Sequence, residues 1–173
     1  MCCAWFITTC LWVNLNVTPE EVPIASAGFE EAAQNGMPAQ WNGPPDLYQV
    51  DRAVAFSGRG SLKFVDTEAS RYILCSQSIQ LEPGRMYEVS ARVKTQGIQG
   101  SDSGATVCVE WSDAQGKYIG GCYPPGIKGD TDWTLVRGIS DRVPKDAARC
   151  TVSCYVRQGM TGTAWWARRG GTM

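Results

Sequence analysis

Carboxylates recur in close pairs along the chain, at Glu20-Glu21, Glu30-Glu31, Asp66/Glu68, Glu110/Asp113 and Asp130/Asp132. Two carboxyl groups facing each other across a cleft are what glycoside hydrolysis requires. Their positions argue against that use. Asp113, Asp130 and Asp132 sit in turn-like sequence, where aspartate bends and caps backbone, and Glu110 has no evident strand-borne partner. Histidine is absent from all 173 residues, which removes Ser-His and Cys-His nucleophilic pairs, imidazole zinc sites and the commonest general base. Of eight cysteines, Cys2, Cys3 and Cys10 lie near the N-terminus, and Cys75, Cys108, Cys122, Cys150 and Cys154 further along, with no C-x-x-C spacing. The latter group is odd in number, so at least one thiol has no intradomain partner, and these residues read best as small buried hydrophobes. Any disulfide would need an oxidising compartment. Gly58-Arg59-Gly60 leads into a strand rather than a helix, so it is not a phosphate-binding loop.

With catalysis disfavoured, the elements decide what the polar residues can do. The chain is long enough for one domain with a sizeable core. Its formal net charge of -1 leaves no electrostatic footprint for nucleic acid or an anionic membrane. Nineteen glycines, nine prolines and seven tryptophans suit a turn-rich β-protein. In 87–94, Tyr87, Val89, Ala91 and Val93 share one face while Glu88, Ser90, Arg92 and Lys94 share the other. In 105–111, Val107, Val109 and Trp111 oppose Thr106, Cys108 and Glu110, and a hairpin follows into Lys117-Tyr118-Ile119. In 150–157, Cys150, Val152, Cys154 and Val156 oppose Thr151, Ser153, Tyr155 and Arg157. Further strands are expected near 53–57, 61–65, 72–79 and 133–139. Short strands between turns, with no helical stripe, predict an antiparallel β-sandwich or jelly roll.

A frame opens with Gly28-Phe29-Glu30-Glu31 and closes with Thr161-Gly162-Thr163-Ala164-Trp165-Trp166. Between its ends lie Ser57-Gly58-Arg59-Gly60-Ser61-Leu62-Lys63-Phe64, Leu81-Glu82-Pro83-Gly84-Arg85-Met86-Tyr87, and Asp132-Trp133 followed by Val143-Pro144-Lys145-Asp146-Ala147. These segments resemble the galactose-binding-like carbohydrate-binding modules of the group spanning families four, nine and twenty-two. The resemblance implies a non-catalytic jelly-roll sandwich over residues 23–166, binding a polysaccharide and secreted as an accessory to an attached glycoside hydrolase. Alternatives on the same fold are an extracellular protein-interaction or adhesion domain, and a small polysaccharide hydrolase or lyase. The resemblance also implies a structural calcium ion, held by the Gly28 carbonyl, the Glu30 carboxylate and a carbonyl near Arg59, with an aspartate after the last aromatic pair. Here the chain departs from the pattern, because Trp166 is followed by Ala167-Arg168-Arg169-Gly170. Codons for those four residues, read one base later, are compatible with Asp-Glu-Val after one residue. A frame slip or a divergent tail over 167–173 is therefore expected.

If the three alternating segments lie in one sheet, Glu88, Arg92, Glu110, Tyr155 and Arg157 project from a single face. Carboxylates and guanidinium groups bond sugar hydroxyls in pairs, while aromatic rings stack on pyranose C–H faces; the plain alternative is a solvated surface. Tyr118 and Tyr123 are stacking candidates at the rim, with structural packing as the competing role. Trp41, Trp111, Trp133 and Trp165 are expected in the core. Trp166 should then face the other way, open to a ligand or to a covering loop. Residues 1–22 are expected to form a leader, either a signal peptide or a non-native extension. Its uncharged apolar run 2–13 is too short to span a bilayer as a helix and resembles a signal-peptide core without a basic start, with Ala25-Ser26-Ala27 as a cleavage-like triplet. The sequon Asn16-Val17-Thr18 is followed by Pro19, which disfavours its use.

Overall fold

A computed structural model describes residues 21–168. The leader through residue 20, with its cysteines and sequon, and the tail from residue 169 lie outside the described residues. In chain order the strands are β1 (Tyr48–Asp51), β2 (Ser61–Asp66), β3 (Cys75–Ile79), β4 (Glu88–Gly100), β5 (Ala105–Ser112), β6 (Tyr118–Cys122), β7 (Gly129–Ile139), β8 (Arg149–Val156) and β9 (Met160–Ala167). They form two antiparallel sheets, one ordered β1-β2-β9-β4-β7 and the other β3-β8-β5-β6. The expected all-β antiparallel sandwich is therefore the architecture found.

Alternation drives the packing of the two sheets. Val89, Ala91 and Val93 of β4, Leu62 and Phe64 of β2, and Ala164 and Trp166 of β9 face Val107, Val109 and Trp111 of β5 and Val152, Cys154 and Val156 of β8, and all are buried. Each large side chain removed from water contributes about 1.5–3 kcal/mol. Tyr48 anchors one flank, with ring centroids 5.1 Å from Phe64 and 6.5 Å from Trp166. Trp41 and Trp111 are in the core as expected.

The last strand does not close an edge; it inserts between β2 and β4, and that position settles the tryptophan doublet the opposite way from expectation. Trp166 points inward and is fully buried, its indole N–H donating to the Thr106 carbonyl at 3.0 Å. Trp165 lies on the outer side, opposite Lys63 and Lys94 in register, with its indole donating to Asp51 Oδ2 at 2.8 Å. It is buried there by its neighbours rather than by the core.

Two of the expected strands are shorter or missing. Residues 53–57 form a loop after β1, started by Asp51 Oδ1 accepting the Ala53 amide at 2.7 Å and the Val54 amide at 3.3 Å. Residues 72–74 precede β3 as a loop, because pairing with β8 begins at Cys75. The cleavage-like triplet is fastened to the sandwich: Gln77 accepts the Ala25 amide at 2.7 Å and donates to the Ala25 carbonyl at 3.0 Å, and Trp41 donates to that same carbonyl at 3.1 Å.

Candidate functional site

The sheet topology splits the polar face expected from sequence. β4 belongs to the five-stranded sheet, while β5 and β8 belong to the four-stranded one. Glu88 and Arg92 therefore leave the sandwich on one outer face, and Glu110, Tyr155 and Arg157 leave on the opposite one. Alternation fixes which residues of one strand share a side. Both sheets turn their apolar sides inward, so polar sides in different sheets must diverge.

On the four-stranded sheet the outward residues form the floor of a groove. The β5–β8 register sets Thr106 opposite Tyr155, Cys108 opposite Ser153 and Glu110 opposite Thr151. Thr106, Cys108, Ser153 and Tyr155 point away from the core yet are at most 1% exposed, because two flanking segments rise beside them. Tyr72, just before edge strand β3, stands on one margin with its ring edge toward Tyr155 at 6.2 Å. Tyr118 opens β6 on the other margin, and Tyr123 follows that strand. The chain then runs along β5, where the Pro124 carbonyl accepts the Thr106 hydroxyl at 2.9 Å and Arg157 Nη2 at 3.2 Å. Tyr72, Tyr118 and Tyr123 remain 44%, 54% and 38% exposed, so aromatic surface lines both walls.

One end of the groove is set by a hydrogen-bonded cluster. Tyr123 donates its hydroxyl to Glu110 Oε1 at 2.8 Å and shares a second hydrogen bond with the Tyr118 hydroxyl at 2.9 Å. Gly121 opposes Glu110 in register, and a Cβ at Gly121 would lie 2.8 Å from the Tyr123 hydroxyl and 2.7 Å from the Val109 carbonyl. Glycine at this position is what lets Tyr123 fold back over β6. Burial, then the bonds to Tyr118 and Glu110, push the Tyr123 phenol up, so it stays a donor.

At the other end the Arg157 guanidinium lies 5.7 Å from the Tyr155 ring centre, with Nε 3.9 Å from Asp102. Burial also raises the Tyr155 phenol. Its hydroxyl, Glu110 Oε2 and Arg157 Nη1 bond no described residue. The Arg157 amide bonds Gly104 at 3.1 Å, six residues before Glu110, so the floor extends about 20 Å at roughly 3.4 Å per residue. Burial pushes the Cys108 thiol in mid-floor up to about 12, which leaves it unreactive. The face thus presents the Glu110 carboxylate and the Arg157 guanidinium between exposed aromatic rings, an acceptor and a donor that hydroxyl groups can bond, while Tyr155 lies beneath them at 1% exposure.

The five-stranded face is built differently. The loop after β1 carries Phe56 across it, and Phe56 meets Trp133 edge-on at 5.8 Å. Trp133, expected in the core, is on this outer side and part-exposed, because Thr134 and Val136 face Val93 and Ala91 instead. The guanidinium of Arg92 lies 4.8 Å over the Phe56 ring. Glu88, Ser90 and Arg92 do share this face, as their spacing implies. Phe56 is not legible in the sequence as part of this face, since a lone aromatic before Ser57-Gly58 carries no periodic signal.

The residues implied as calcium ligands form a different contact. Glu30 Oε1 accepts the Arg59 amide at 2.8 Å and Oε2 accepts Arg59 Nε at 3.1 Å, while the Glu30 carbonyl accepts Arg52 Nη2 at 2.9 Å. A Cβ at Gly58 would fall 1.9 Å from Glu30 Oε1, so the loop closes on the carboxylate only with glycine there. The Arg59 amide first, then its guanidinium, hold the Glu30 carboxyl below the usual range. Arg168 pairs with Glu21 at 2.7 Å. No three acidic or thiol side chains converge among the described residues. Calcium takes six to eight oxygen ligands, and the Glu30 carboxylate is already paired with the Arg59 guanidinium, so the described residues do not fit the ion.

No profile of a known protein family matches the sequence, and no curated protein is significantly similar to it. Solved structures are similar in fold. A xylan-binding domain of carbohydrate-binding module family 22 superposes with a TM-score of 0.61 at 17% identity, covering 90% of this chain and 100% of that one. The C-terminal family 22 carbohydrate-binding module of Clostridium thermocellum Xyn10B gives 0.59 at 18% identity, covering 87% and 100%. A Stig cyclase from Fischerella sp. TAU gives 0.61 at 13% identity, covering 84% and 93%. At these identities the likeness speaks to architecture, and one architecture hosts several functions. The chain has the β-sandwich fold seen in the family 22 carbohydrate-binding modules.

Proposed function

We propose that the protein is a non-catalytic polysaccharide-binding module whose site is the groove on the four-stranded sheet. The observation that carries this reading is the pair of unbonded polar atoms Glu110 Oε2 and Arg157 Nη1, flanked by the exposed rings of Tyr72, Tyr118 and Tyr123. Carboxylate and guanidinium bond adjacent sugar hydroxyls, and tyrosine faces take the apolar sides of the rings. Xylan-binding structures with the same fold make a β-linked neutral polysaccharide the first ligand to try. Hydrolysis is disfavoured because Glu110 and Asp102 stand at opposite ends of the floor, well beyond the roughly 5–9.5 Å separating paired catalytic carboxyl groups. Secretion and attachment to a glycoside hydrolase belong to the same reading: a tethered binding module raises the local concentration of substrate for its catalytic partner.

Affinity electrophoresis through gels containing xylan, β-glucan or mannan tests the proposal, with and without chelator. Retardation by at least one polymer, weakened in Glu110→Gln, is expected. Lack of retardation in every gel, with specific binding to a protein partner, would favour an adhesion domain. Release of reducing sugar that Glu110→Gln abolishes would make the chain an enzyme.

A further inference from the structure

We infer that the outer face of the five-stranded sheet holds a second site, which takes the carboxylate-bearing (uronate) units of an acidic polysaccharide on Arg92, Phe56 and Trp133, with Arg137 alongside. Arg92 is directed outward by its place between the core residues Ala91 and Val93. Its guanidinium lies 4.8 Å over Phe56, and Phe56 is itself braced edge-on by Trp133 at 5.8 Å. Phe56 remains 38% exposed.

The distribution of charge over this face singles out the two arginines. Lys63 is paired with Asp51 at 3.7 Å and Lys94 with Asp132 at 2.7 Å. Among the described residues no carboxylate pairs with Arg92 or Arg137, although Glu88, which has a contact of its own, stands diagonal to Arg137 on the far side from Arg92, and Arg92 Nε is buried without a hydrogen-bond partner. On β7, Arg137 opposes Ser90 and Leu135 opposes Arg92. The two arginines are therefore diagonal neighbours, about 7–8 Å apart by the geometry of antiparallel pairs. A planar guanidinium placed over an aromatic ring has less freedom to lose when it makes two parallel bonds to a carboxylate. The exposed aromatic surface beside it suits the C–H face of a sugar ring, which an isolated phosphate or sulfate lacks. A uronate unit supplies both parts in one ring.

This site is distinct from the groove, and it depends on the proposed function only for the choice of polymer. The test is affinity electrophoresis of the full chain through polygalacturonate, neutral xylan and dextran sulfate. Wild type should be retained by polygalacturonate and less by dextran sulfate. Arg92→Gln and Phe56→Ala should each weaken polygalacturonate retention roughly tenfold, the size of one lost charge-assisted bond, and leave neutral xylan retention unchanged. Arg92→Lys, which keeps the charge but not the planar fork, should fall between. Glu110→Gln should show the reverse pattern, losing xylan and keeping polygalacturonate. Unretarded wild type in polygalacturonate, unaltered retention of Arg92→Gln, or equal retention by dextran sulfate each overturns the inference. Polygalacturonate binding without binding to any neutral polymer would sustain it while sinking the groove reading.

Discussion

The two outer faces of the sandwich arise from the same alternation of polar and apolar residues, yet only one becomes a groove. On the four-stranded sheet, segments at both margins rise above the strands, so that Tyr155 is nearly inaccessible although it points away from the core. On the five-stranded sheet a single loop lies over the strands, and its Phe56 is stacked under a cation rather than standing as a wall. The polar groups also differ in what they already hold. Glu110 spends one oxygen on Tyr123 and keeps the other, whereas the two lysines of the five-stranded face are both paired with aspartates and Arg92 is not. Strands supply outward side chains, and the flanking loops decide whether those become a cleft for a chain or a flat patch for a charge.

The largest effect should come from a residue that serves both faces by serving neither. Trp166→Ala removes a fully buried indole and leaves the Thr106 carbonyl without its donor, at a cost of about 3–5 kcal/mol. Trp165→Ala, which removes an outer-side ring over Lys63, should cost markedly less in chemical denaturation. Equal losses would mean that the inward and outward assignments of the doublet are wrong.

Next in size is a test of groove against patch. Tyr155→Ala removes the buried ring against which Tyr72 and Arg157 rest and, by loosening both, should weaken xylan binding by roughly 30-fold, about 2 kcal/mol. Its polygalacturonate retention should not change. Parallel loss of both would merge the two faces into one site.

A finer probe acts through a backbone hydrogen. Gly121→Ala places a methyl group 2.8 Å from the Tyr123 hydroxyl and 2.7 Å from the Val109 carbonyl, so it should release Glu110 from its partner and strain the β5–β6 pairing, for a loss of at least the roughly fivefold of one hydrogen bond. If Tyr123 is the route, Tyr123→Phe gives a similar loss and the double variant adds little. Additive losses measured by titration calorimetry would rule the latch out.

The smallest effect concerns stability against acid. Arg59 holds the Glu30 pKa below its ordinary value, so the unfolded chain binds the proton more readily than the folded one. The contact therefore stabilises fully above the ordinary glutamate range, near 4.3, and is lost as pH falls through the lower folded value. Arg59→Ala keeps the amide that contributes most and removes only the guanidinium, so it should make the acid side of the melting profile slightly shallower and leave neutral pH nearly unaffected. A melting temperature that drops on adding chelator would instead indicate a bound cation at this corner.

Much of the architecture is legible in the sequence. The alternation in 87–94, 105–111 and 150–157 identifies three strands and their core sides. It carries no information on partners, because alternation is a property of one strand while sheet membership depends on register and connection. That is why Arg92 and Glu110 look like neighbours in sequence and stand on opposite faces in the fold. The Trp165-Trp166 doublet must straddle the sheet, but a one-residue slip exchanges inside and outside, and both choices look equally apolar. Trp133 misleads for the same reason, since Trp133 and Leu135 are as apolar as Thr134 and Val136. Tyr118 and Tyr123 at the rim were readable from their flanking glycines and prolines. Tyr72 and Phe56 were not, because loop residues acquire neighbours only when the chain has folded.

The most direct test of the groove is an NMR titration of the isotope-labelled protein with soluble xylo-oligosaccharides. The account predicts shifts concentrated in 104–112, 118–124 and 151–157 and at Tyr72, with the backbone of β4 and β7 unmoved. Shifts confined to β4, β7 and the Phe56 loop, or no shifts with any oligosaccharide of the neutral series, would contradict it.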